Sequence, residues 1–353
     1  MEIFGYQIDP GVFWGIVGAF IGIIGIALAI VHLLRMRRAE AEARKAKEEA
    51  TAAKEQAMLV MDKVEIANKN IENIEKQFNI PIYTDGLPSA DPPVFDPFFE
   101  GTKLMVEYKW DEAIDEFKKA MKQAKATQLV ALYNLIAICY YTSGRLPLAL
   151  ENYEECLRFA RQFKDKEGEG AVLGNIGLVY QDKGELDTAL KYHQDALEIN
   201  KQIGRKEGEA SALGNIGLVY EAKGELDLAL KYLQDALKID KEIDFKQGEA
   251  SDLGNIGLVY SARGRSASGG QAKGDLDLAL KYHQDALKIH KEIGFKQGEA
   301  HQLGNIGVIC QAKGELDLAL KYYSEALKIF EEIGMPEQIG IVKGNIERIK
   351  TKK

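Results

Sequence analysis

Four asparagines, Asn175, Asn215, Asn255 and Asn305, stand at one place in four near-identical copies of a string that reads LGNIGLVYEAKGELDLALKY at residues 213–232. A side-chain amide both donates and accepts hydrogen bonds, so a row of them can hold the backbone of an extended chain whatever its side chains are. Beside them run Leu178, Leu218, Leu258 and Val308, which could add an apolar strip. Two alternatives remain open on sequence. Duplicated copies retain such residues with or without use, and the amides could instead bridge adjacent copies.

Other reactive residue types form no recognisable site. His193 and His283 occupy the place held by Phe117, Tyr153, Leu233 and Tyr323 elsewhere, which marks them as packing residues. His290 and His301 are eleven apart and have no third partner for a metal. Cys139, Cys156 and Cys310 are scattered, without CxxC spacing, and read as reduced core thiols of a cytosolic protein. The Gly-Asn-Ile-Gly string imitates a loop that clamps nucleic acid, but it recurs within a helical pattern together with packing residues. With no phosphate loop, nucleophile elbow or paired carboxylates in view, no enzymatic activity, cofactor or metal is expected. The net charge of −8 supplies no basic field for nucleic acid.

The elements that must position the asparagines follow from the period. Leu173, Leu213 and Leu253 recur at intervals of 40. Each copy offers a small residue and a tyrosine on a first helix, a glycine at a turn, and two alanines on a second helix. In the quoted copy these are Gly217, Tyr220, Gly224, Ala229 and Ala236. The neighbouring copies have Gly177, Tyr180, Ala189 and Ala196, then Gly257, Tyr260, Ala279 and Ala286, then Gly307, Ala319 and Ala326, with Cys310 in place of the tyrosine. Two divergent units come first, marked by Gly101, Ala113, Phe117 and Ala120, and by Tyr140, Ala149 and Cys156. Small residues let one helix settle into the groove of its neighbour while a large one opposite fills the gap.

This pattern resembles the tetratricopeptide repeat family, in the longer-period form found in kinesin light chains and cortical spindle-orientation adaptors. The resemblance implies an all-α fold: a right-handed α-solenoid of about six helix pairs over residues 98–335, closed by a capping helix at 336–353. It also implies that first helices face a concave groove that binds an extended peptide. Members that clamp a terminal carboxylate use lysine and arginine there; here those positions are uncharged or acidic. Ten extra residues near 264–273, rich in glycine and serine, are expected to bulge from a turn between helices. Gly344-Asn345-Ile346 begins a last first-helix in which Lys343 and Glu347 replace the Leu303 and Gly307 types, as a polar cap requires.

The first eighty residues are of another kind. After a short amino-terminal stretch, residues 1–11, positions 12–34 carry no formal charge and are long enough to span a bilayer as a helix. Arg35, Arg37, Arg38, Arg44, Lys45 and Lys47 follow, so the positive-inside rule places the amino terminus outside and the repeats in the cytoplasm. Gly11, Gly15, Gly18, Gly22, Gly25 and Ala29 alternate in steps of four and three, and the rhythm continues through His32, the one polar member, Met36 and a run of alanines to Val60, Val64, Ala67, Ile71, Ile74 and Phe78. A mean spacing of 3.5 is a coiled-coil seam, which predicts a stalk over 35–79 and a homo-oligomer. Proline-rich residues 80–97 read as a linker. The expected function is a single-pass membrane scaffold that recruits a protein or peptide partner through its groove; the alternative is a self-assembling membrane coat or spacer.

Overall fold

The computed structural model describes the backbone of residues 2–3, 6–7, 10–78 and 92–351, and side chains within 35–38, 42–74 and 95–351. Two compact units are distinguished, Met1–Ile66 and Ala67–Lys353. In the first, a short antiparallel ladder pairs β1 (Glu2–Ile3) with β2 (Tyr6–Gln7). A single helix, α1 (Pro10–Phe78), then runs without interruption into the second unit. Ion pairs one turn apart, Arg38–Glu42 at 3.0 Å and Arg44–Glu48 at 3.1 Å, suit a solvated helix. Among the described residues no helix is long and apolar enough to cross a membrane. The expected membrane segment at 12–34, with Gly11, Gly15, Gly18, Gly22, Gly25 and Ala29, lies outside the described side chains, as do residues 79–91 of the expected linker.

The predicted seam divides in two. Ala43, Ala46, Ala50, Ala53 and Ala57 are exposed, as a seam without a second chain must be. Ala67, Ile71 and Ile74 are instead buried by their own chain within the second unit. These larger apolar residues find cover locally, so the stalk available for pairing with another chain is shorter than the heptad pattern indicates.

The second unit is built from helix pairs: α2 (Pro92–Val106) with α3 (Trp110–Met121), α4 (Leu129–Thr142) with α5 (Leu146–Phe163), α6 (Lys166–Asp182) with α7 (Leu186–Ile203), and α8 (Lys206–Ala222) with α9 (Leu226–Glu242). Then come α10 (Lys246–Ser266) with α11 (Gly269–Glu292), α12 (Lys296–Ala312) with α13 (Leu316–Ile333), and the unpaired α14 (Pro336–Lys350). The starts of α6, α8 and α10 keep the interval of 40 read from the leucines. The first pair begins at Pro92, before the expected boundary at 98.

Each pair is closed by a knob in a hole. The hydrogen of Gly217 faces the Leu233 side chain, that of Gly307 faces Tyr323, and that of Gly177 faces His193; a methyl group at any of the three would overlap its partner. Stacked tyrosines clasp two of these pairs, Tyr180 on Tyr192 at 5.4 Å and Tyr220 on Tyr232 at 5.4 Å. Turns within pairs need a left-handed residue, supplied by Gly224 at φ 78°. Successive pairs are tied by Lys223–Asp187 at 2.7 Å, Arg263–Asp227 at 3.4 Å and Lys313–Asp277 at 2.7 Å. Their aspartates are largely exposed, so each adds little beyond register.

The ten extra residues form no bulge. They lengthen both helices of the pair, α10 to 21 residues and α11 to 24, leaving only Ala267 and Ser268 between them. Gly264 is buried where α11 comes close, against Leu276 and the Ala272 carbonyl, and this small residue permits the longer contact. Arg263 then forks onto the buried Asp275 through Nε at 3.1 Å and a terminal nitrogen at 2.8 Å, with Gln271 donating to the same carboxylate at 2.9 Å.

Candidate functional site

First helices of neighbouring pairs touch one another along the array, α4 with α6, α6 with α8, α8 with α10 and α10 with α12, whereas second helices do so less. The first helices therefore form the inner rank of the curve. Along α8 Glu207 and Ser211 are exposed and Leu218 and Glu221 half-buried, and the four fall along one side of the helix, the face turned to the inner wall. Gly214 lies on the same line; Gly254 and Gly304 hold its place in later pairs and keep the wall shallow there.

The asparagine ladder is graded along this wall. Asn175 is fully buried and its Nδ2 donates to Oδ1 of Asn134 on the preceding first helix at 3.2 Å. It is a bridge between pairs, the alternative that the sequence left open. Asn134 belongs to a divergent unit and stands where the later copies have glycine, so no later asparagine has that acceptor. Asn215 is nearly buried but lines a cavity, together with the half-buried Asn255, and Asn305 is half-buried too. Leu178, Leu218 and Val308 are half-exposed and Leu258 is exposed. The asparagines that do not make this bridge are Asn215, Asn255 and Asn305.

The cavity has a volume of about 100 Å³ and lies between α8, the end of α9 and α10. Its polar floor is a pair of carboxyls, Asp240 from α9 and Asp252 from α10, only 3% and 6% exposed. Asp240 fits because Gly248, at the start of α10, has no side chain to collide with it. Asp252 leans across to Gly214 of α8. Phe245 closes one side, following Asp244, which holds φ 56° where the neighbouring turns use Gly204 and Gly294. No donor reaches Asp240 Oδ1 or Asp252 Oδ2. Burial, reinforced by Glu207 and Glu249, pushes Asp240 up to about 7. Burial beside the Asp240 carboxyl pushes Asp252 up to about 9. The two face each other within hydrogen-bonding range, so at neutral pH they hold at least one proton between them.

The histidines behave as packing residues. His193 and His283 are fully buried against Gly177 and Gly257, and burial lowers both to about 4, so they are neutral at pH 7. His283 donates from Nδ1 to Oε1 of Gln302 in the next pair at 2.7 Å. His290 packs on Phe295 and His301 on Phe330. Among the described residues no group of three or more His, Cys, Asp or Glu side chains is placed to hold a metal ion. All three cysteines are free and buried, with Cys139 and Cys156 pushed well above the usual thiol range by burial.

The Tetratricopeptide repeat family profile matches residues 127–202, 168–242, 208–268 and 271–332, which together exceed half of the chain. The chain belongs to the tetratricopeptide repeat family. No curated protein matches its sequence. Among solved structures, this tetratricopeptide repeat protein is similar to BtubC (BKLC) from P. vanneervenii, at 20% identity and a TM-score of 0.51 over 64% of this chain and 90% of that one. It is also similar to a Rap protein complexed with Competence and Sporulation Factor, at 14% identity and a TM-score of 0.53 over 84% of this chain and 98% of that one. A third is the signal-transduction ATPase with a tetratricopeptide repeat sensor from Pyrococcus horikoshii, at 18% identity and a TM-score of 0.54, covering 72% of this chain and 41% of that one. At these identities the likeness is one of fold.

The carboxyl pair is the feature that sequence reading missed in these repeats. A signal was present. The copies are nearly verbatim, yet the place of Asp240 holds Asn200 and His290 in adjacent repeats, and that of Asp252 holds Ala212 and Gln302. Both places change from copy to copy while the run from Leu213 to Gly217 does not, which marks them as places where the repeats differ. Only packing shows that the two face each other.

Proposed function

We propose that this tetratricopeptide repeat protein is a membrane-anchored scaffold that recruits a protein partner by gripping an extended segment along its inner wall. One observation carries the reading: Asn215, Asn255 and Asn305 line a wall that also presents Leu218, Leu258 and Val308, so paired hydrogen-bonding and apolar rungs recur down the array. Amides satisfy a bound backbone, and the leucines take every few side chains out of water. The fold it shares with the Rap protein has been crystallised with Competence and Sporulation Factor, which supports a ligand-binding role for such an array. Residues 12–34 act as the anchor, with the repeats on the cytoplasmic side, and the glycine line with the exposed alanines after it pairs copies of the chain. Pairing presents several walls together, so that weak contacts become avid.

Expressed in full, the chain should sediment with membranes through an alkaline wash. Its detergent extract should yield co-purifying protein that a variant with Asn215, Asn255 and Asn305 changed to Ala recovers roughly tenfold less or worse, since each lost hydrogen bond counts about 0.5–1.5 kcal/mol. Equal recovery by both forms would remove the asparagine grip; a chain left in the supernatant would remove the anchor.

A further inference from the structure

The cavity at the junction of α8, α9 and α10 differs from every equivalent junction in the array. Where it has Asp240 and Asp252, the preceding junction has Asn200 and Ala212 and the following one has His290 and Gln302. Both carboxyls are more than nine-tenths buried, and each keeps one oxygen with no donor. None of the residues around the cavity is a lysine or arginine, and Glu207 adds a third acidic group at its edge. Burying acidic groups without a cation is costly, and a protein normally avoids it by supplying the counter-charge from its own side chains. Here the counter-charge is left out, and the opening is on the wall already argued to grip a peptide.

We propose that this pocket takes a primary ammonium group of a bound peptide on the donor-free oxygens of Asp240 and Asp252, while Asn215 and Asn255 hold the neighbouring backbone. The inference rests on the groove reading and adds to it a charge preference at one position. An ammonium is compact and carries three donors, which matches two free carboxylate oxygens plus an amide oxygen of Asn215 or Asn255. Among the described residues no group of three or more His, Cys, Asp or Glu side chains is placed for a metal ion, here or elsewhere. When the ammonium enters, the proton shared by the pair leaves to solvent, because the bound charge now favours both carboxylates. The ammonium can come from a lysine side chain or from a peptide amino terminus.

The test uses the full chain and four synthetic peptides in calorimetric titrations near pH 7, in two buffers of different ionisation enthalpy. Three are acetylated and amidated alanine pentapeptides with central Lys, Arg or Gln; the fourth is penta-alanine amide with a free amino terminus. The Lys peptide should bind about tenfold more tightly than the Gln peptide, with heats that differ between buffers because a proton is released. The double variant Asp240→Asn, Asp252→Asn, with its folding checked by circular dichroism, should bind the Lys and Gln peptides alike. Preference for the free amino terminus over the Gln peptide, lost in the same variant, would support the pocket with the terminus as its source. Equal affinity of the Lys and Gln peptides, with no gain for the free terminus, would overturn the pocket while leaving the groove. A Lys preference that survives in the double variant would do the same, and an Arg peptide binding as tightly as Lys would overturn the ammonium assignment. If no peptide binds, the groove reading fails and the pocket falls with it.

Discussion

Replacing Tyr323 with alanine should loosen the last helix pair by about 3–5 kcal/mol, the range for emptying a fully buried aromatic site. Tyr323 is 1% exposed, fills the space opposite Gly307, and donates its hydroxyl to Gln311 at 3.1 Å. Gly307→Ala should also destabilise, because the new methyl would sit within 2.8 Å of the Tyr323 ring. Overpacking of that kind costs about 1–3 kcal/mol, partly offset by about 1 kcal/mol of better helix propensity. Put together, the two changes should not add. With the ring gone, the extra methyl enters vacated space, so Gly307→Ala becomes neutral or stabilising in the Tyr323→Ala background. An array of repeats need not unfold in one step, so the measurement is hydrogen exchange of amides in α12 and α13 rather than a global melt. Strict additivity of the two losses would show that this pair is not the clasp of the repeat.

Asp252→Asn should raise stability at pH 8 by at least about 1.4 kcal/mol, the worth of one pKa unit, and flatten the loss of stability at alkaline pH. The folded chain holds Asp252 up at about 9, against an ordinary value of 3.8. Between those values the folded state keeps a proton that the unfolded chain has released, so stability falls as pH rises through the window. Asp240, raised to about 7, acts in the same direction up to neutrality. The buried His193 and His283 act in the opposite direction. Held near 4, they stay neutral while the unfolded chain takes up protons below about 6.5, so stability is lost as pH falls toward 4. Denaturant titrations at pH 6, 7 and 8, with hydrogen exchange localising the change to α9 and α10, check this. A variant less stable than the parent at pH 8 would mean that the carboxylate is satisfied by a group the fold already supplies.

Much of the repeat was legible because its packing is local and repeated. Gly217 against Leu233 and Gly307 against Tyr323 are separated by one turn between helices, and the spacing alone places them together. The role of Asn175 was not legible, since it depends on Asn134, which sits in a divergent unit where copying gives no register. The extra residues were read as a loop from their glycine and serine content. Tertiary contact prevailed: Gly264 lets α11 approach, and Arg263 with Asp275 holds the extension, so composition that suits a turn serves as helix. Ala67, Ile71 and Ile74 continue a perfect heptad yet are buried by their own chain, because apolar residues at that spacing serve any helical neighbour and not only a second copy. The carboxyl pair escaped notice because Asp240 and Asp252 lie on different helices, and each alone reads as a surface aspartate.

The inner wall is tested most directly by photo-cross-linking in the intact chain. A photoreactive residue placed at Leu218 or Leu258 on first helices can be compared with one at Leu228 or Leu318, exposed on second helices. Adducts with the same co-purifying protein from the two first-helix sites, and none from the second-helix sites, are the predicted result. Adducts from Leu228 and Leu318 with none from Leu218 and Leu258 would place the partner on the opposite face and contradict the groove.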